Sequence, residues 1–62
     1  MDKKVEYVLK VAQCYQDNAD ENMRIGASVD EPESRRVILQ TAYNQQATAK
    51  LLREIAHDLE YL

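Results

Sequence analysis

Cysteine, glycine, proline and histidine each occur once in these 62 residues, and tryptophan and phenylalanine do not occur at all. A lone cysteine, Cys14, excludes an internal disulfide and a Cys/His metal array. A lone glycine, Gly26, excludes a Gly-rich phosphate loop, and no Ser/His/Asp set accompanies it, so enzymatic function has no support. No apolar run is long enough for a signal-peptide core or a membrane span; with the unpaired cysteine, this sets the expectation of a soluble, cytoplasmic protein. An excess of one charge is also missing. Eight basic residues against 11 acidic give a net charge of −3, too weak a field to draw the chain to nucleic acid or anionic lipid.

What the chain does have is two stripes of small residues at seven-residue spacing: Val5, Ala12, Ala19 and Gly26, then Ala42, Ala49 and Ala56. In an antiparallel hairpin, facing positions add to a constant, and Val5 with Ala56, Ala12 with Ala49 and Ala19 with Ala42 all give 61. Small side chains at matched heptad positions let two helix backbones approach closely. The fold class expected is all-α, an antiparallel two-helix hairpin in one domain spanning 1–62.

The first helix is expected over about 3–25, capped by Asp2 and stopped by Gly26 in a left-handed C-terminal cap. A turn over 26–30 follows. The second helix, about 31–61, opens with Asp30 as N-cap, Glu33 closing a capping box and Pro32 in the first turn. The hairpin core comprises Val5, Val8, Ala12 and Ala19 on the first helix, and Ala42, Ala49, Leu52, Ile55, Ala56 and Leu59 on the second. Gln16 and Gln45, whose numbers also add to 61, are expected to face each other as a polar layer that rejects slipped registers. The i, i+4 pairs Glu6 with Lys10, Asp20 with Arg24 and Lys50 with Glu54 read as solvated helix surface.

Sixty-two residues rarely make a sufficient core alone, and without disulfide or metal the remaining supplement is association. A second stripe supplies a surface for it: Tyr7, Val11, Cys14, Asn18 and Ile25 on the first helix, and Val37, Asn44, Ala47 and Leu51 on the second. Two such faces imply a homodimer forming a four-helix bundle, or a hairpin that docks on another protein. Cys14 in this reading is a small interface residue; of its neighbours one turn away only Lys10 would favour a thiolate. Tyr43, beside Gln46 and Lys50 on the outer face, suits a protein contact.

In length and heptad logic the whole chain resembles the Rop family, plasmid-encoded RNA-binding proteins whose short hairpins pair into four-helix bundles with small residues in the core. The resemblance implies a basic, polar face on the first helices that binds paired RNA loops. Lys3, Lys10 and Arg24 stand in such a row here, with Asp17 in its fourth place. A third reading comes from Glu54 and His57, which match the Glu-x-x-His step of ferritin-like metal bundles, with Glu6 as a second carboxylate. His57 falls opposite the seam, where histidine is usually solvated, so no metal and no cofactor is expected. The function expected is a small non-enzymatic interaction or regulatory module, of the adaptor, antitoxin-like or secretion co-chaperone kind. It associates with itself and with a protein partner through helix faces; Rop-like RNA binding and a metal bundle are the alternatives.

Overall fold

The computed structural model describes residues 2–62, all of the expected 1–62 unit but its first position. Two helices in contact make up the fold: α1, Lys3–Ser28, and α2, Pro32–Glu60, with no strand among the described residues. The result is a rod of 47 × 13 × 10 Å. Its radius of gyration is 14.2 Å, against about 11 Å for a globular chain of this length.

Each helix begins where its cap dictates. Asp2 is extended and its carboxylate accepts from the Lys4 amide at 2.6 Å, satisfying a donor that the first turn leaves open. At α2 the capping residue is Glu31, not Asp30 as the sequence suggests. The Glu31 carboxylate accepts from the Glu33 amide at 3.1 Å and from the Ser34 amide at 2.6 Å. Proline at position 32 disfavours helical φ/ψ in the residue before it, and an extended residue is what an N-cap requires. Glu33 closes no capping box; it pairs with Arg36 instead.

The first helix runs three residues beyond the expected stop at 25. Gly26 has no positive φ and ends nothing; it is helical and buried. A Cβ built there would lie 2.6 Å from Leu39 Cδ2, 3.0 Å from Leu39 Cγ and 3.4 Å from Ile38 Cγ2. Gly26 therefore continues the small-residue stripe, making room for α2 at the turn end. Leu39, which the stripe pattern does not pick out, is the half-buried residue that fills this room. The turn is correspondingly shorter than 26–30. Arg35 closes it by donating through Nε to the Val29 carbonyl at 2.8 Å.

The buried residues are Val5, Ala12, Ala19 and Gly26 on α1, and Ala42, Ala49 and Ala56 on α2. No side chain larger than valine joins them. The other expected core members lie at the rim: Val8 and Leu52 are half-buried, while Ile55 and Leu59 are 40% and 41% exposed. An alanine seam this tight holds the axes too close for a large side chain to fit between them.

Ala49→Leu should lower stability by about 1–3 kcal/mol through overpacking, measured as a shift of the urea midpoint at constant slope. The Glu31 carboxylate is held below the usual glutamate range, chiefly by its hydrogen bond with the Ser34 side chain, then by the Ser34 and Glu33 amides. A lowered folded-state pKa gives stability that is present above the unfolded value and lost as pH falls through the folded one. The difference in Tm between wild type and Glu31→Gln should accordingly be greatest near neutral pH and shrink on acidification below the ordinary glutamate range.

Candidate functional site

Because the seam is made of small residues, chemistry and recognition fall to the flanks. A residue three positions after a seam residue turns to one side of it, and a residue four positions after turns to the other. Two hydrogen bonds across the hairpin fix which flanks share a face. Asn22 and Gln45, each three beyond a seam alanine, bond at 2.8 Å from Asn22 Nδ2 to Gln45 Oε1. Gln16 and Arg53, each four beyond, bond at 3.2 Å from Arg53 Nη1 to Gln16 Oε1.

The hairpin therefore has two unlike faces. On one, α1 contributes Val8, Val11, Tyr15, Asn18, Asn22 and Ile25, and α2 contributes Ile38, Thr41, Gln45, Thr48, Leu52, Ile55 and Leu59. None of these is charged. On the other, Leu9, Met23 and Leu39 are accompanied by Glu6, Asp20, Arg36, Lys50, Arg53 and Glu60. Along the uncharged face the apolar residues gather at the open end and near the turn, and the polar ones gather between them. The threonine hydroxyls in this middle belt donate to their own helix, Thr41 to the Val37 carbonyl and Thr48 to the Asn44 carbonyl, both at 3.0 Å.

The Gln16 and Gln45 layer does not form. Their numbers place them at one height, but Gln16 lies four beyond Ala12 and Gln45 three beyond Ala42, so they point to opposite faces. Gln16 instead donates to Asp20 at 3.0 Å and accepts from Arg53. Of the expected partner stripe, Val11 and Ile25 are half-buried on the uncharged face. Tyr7, Val37 and Leu51 stand at its outer edge, 69%, 50% and 57% exposed, with Cys14 exposed beside them. Ala47 is exposed on the back of α2.

The other candidates are dispersed. Among the described residues, no three His, Cys, Asp or Glu side chains are placed to hold a metal ion, so Glu6, Glu54 and His57 do not come together as a site. The His57 ring rests against Tyr61, with centroids 4.8 Å apart. The expected i, i+4 ion pairs are replaced by i, i+3 pairs of Arg24 with Glu21 and Arg36 with Glu33. Glu21 is thereby held below the usual carboxylate range, first by the hydrogen bond from Arg24 and then by its charge. Arg24, one of the three cations of the Rop-like row, is thus already engaged. No helix of the described residues is long and apolar enough to cross a membrane.

Compared with known protein families, curated proteins and solved structures, the chain matches none.

Removing one partner of a shielded hydrogen bond leaves the other unsatisfied, whereas replacing both with apolar groups is near neutral. Asn22→Leu alone should therefore cost about 1 kcal/mol, and adding Gln45→Leu should recover most of it, read from urea denaturation of the full double-mutant cycle.

Proposed function

We propose that this chain is a small non-enzymatic interaction module that associates with itself into a four-helix bundle and presents its remaining helix surface to a protein partner. One observation carries the reading: nothing larger than valine is buried, while Tyr7, Val37, Leu51, Ile55, Leu59 and other large apolar side chains stand exposed. The accessible surface, 4732 Å², compares with about 4,100 Å² for a compact monomer of this mass. The surplus follows from the rod shape, which leaves the apolar flanks on the surface. Tyr43, 53% exposed on the charged face beside Gln46 and Lys50, offers rigid contact area and a hydroxyl for a second protein. An exposed lone thiol at Cys14 suits a reducing compartment, so we place the module in the cytoplasm.

RNA binding of the Rop kind is less well supported, because the cationic row holds Asp17 and its Arg24 is paired with Glu21. The test is sedimentation of the isolated chain beside the variants Leu51→Asp and Val11→Asp. The wild type should sediment as a dimer with a concentration-dependent Tm, and either variant should abolish association while part of the helical circular dichroism persists. A wild-type monomer whose Tm is independent of concentration would overturn the self-association.

A further inference from the structure

Which surface meets the second copy can be read from the distribution of charge and polarity, and this inference rests on the self-associating reading above. The geometry points to the uncharged face, the one crossed by the Asn22 to Gln45 hydrogen bond, as a two-fold interface between copies of this chain. Three observations converge on it.

The first is the exclusion of charge. Charged residues make up 31% of the chain, yet between Val8 and Leu59 none stands on the two lines of this face nearest the seam, its only charges being Glu21 and Asp58 at the outer edge, whereas the matching lines of the opposite face hold Asp20, Arg36, Lys50 and Arg53. Charged groups at a contact give discrimination between unlike partners. A face whose centre is stripped of them has no charge code there for a foreign chain and presents no like-charge repulsion to its own copy along that centre, and at the rim Glu21 is already paired with Arg24.

The second is the pattern along the face. Val8, Leu52 and Ile55 lie toward the open end, Ile25 and Ile38 toward the turn, and the Asn22 and Gln45 belt between them. An interface on a two-fold axis must be complementary to itself. With the axis through the belt, polar meets polar and the apolar ends meet apolar ends. A copy shifted by one heptad would lay amides and hydroxyls on isoleucine and leucine, leaving them desolvated without partners.

The third is area. A face of 47 by 13 Å is about 600 Å² in plan, so two copies in contact along its whole length would remove about 1,200 Å² from water, which reaches the lower bound of a stable specific interface.

The experiment uses the full chain with Cys14→Ser, carrying one nitroxide at a cysteine introduced either by Thr41→Cys, in the belt, or by Tyr43→Cys, on the charged face. Pulsed electron paramagnetic resonance of the dimer should give a separation below about 20 Å, the thickness of two helix layers, for the first label and a separation longer than that thickness for the second. The reverse order would overturn the face while leaving the dimer, and the functional reading, intact. A monomer would overturn both. As an independent measure, Ile55→Asp should raise the dimer dissociation constant at least 100-fold and Tyr43→Asp less than 3-fold; equal effects, or a larger one at Tyr43, would also overturn it.

Discussion

The approach of two helix backbones through a seam of alanine and glycine governs the rest of this structure. Ala12, Ala19, Ala42, Ala49 and Ala56, with Val5 and Gly26 at the ends, leave no room for a large side chain between the axes. Among the described residues no leucine, isoleucine, methionine or tyrosine is buried. Such a seam sets register sharply, since a slip sets bulk against alanine, but it removes little apolar area from water. Specificity of pairing and strength of folding are thus separated in this hairpin. The first resides between its helices and the second in the half-buried side chains along their flanks.

That separation explains why the two faces differ so strongly. On the charged face, Arg53 reaches across to Gln16, and Leu9 and Leu39 are half-buried. On the uncharged face the cross-helix link is a bond between two amides. One surface is laced by charged side chains; the other is left apolar and amide-lined. Surface ion pairs such as Arg24 with Glu21 add little to either, because both partners are well solvated.

Much of this was legible in the sequence, and the failures have physical causes. The seven seam positions could be read directly, because heptad spacing and a constant sum encode both the contact line and the alignment. Gly26 was ambiguous: a glycine near a helix end serves equally as a left-handed cap or as space for a neighbour, and only the bulk of Leu39 and Ile38 opposite it decides. At the start of α2, three carboxylates compete for the cap, and the decisive signal is the proline, whose restriction of the preceding residue selects Glu31. Gln16 and Gln45 misled because a shared height along the rod says nothing about which side a residue faces. The three-or-four step from the seam carries that information, and applied throughout it would have separated the faces in advance.

The seam also has an entropic character. Alanine and glycine have no rotamers to lose, so closing the two helices onto one another freezes almost no side-chain freedom; only Val5, already stiff, is an exception. Conformational freedom is instead retained by the long side chains along the edges. The hairpin can thus fix its alignment while its outer surfaces stay soft, and the cost of hardening them is deferred to the moment something settles there.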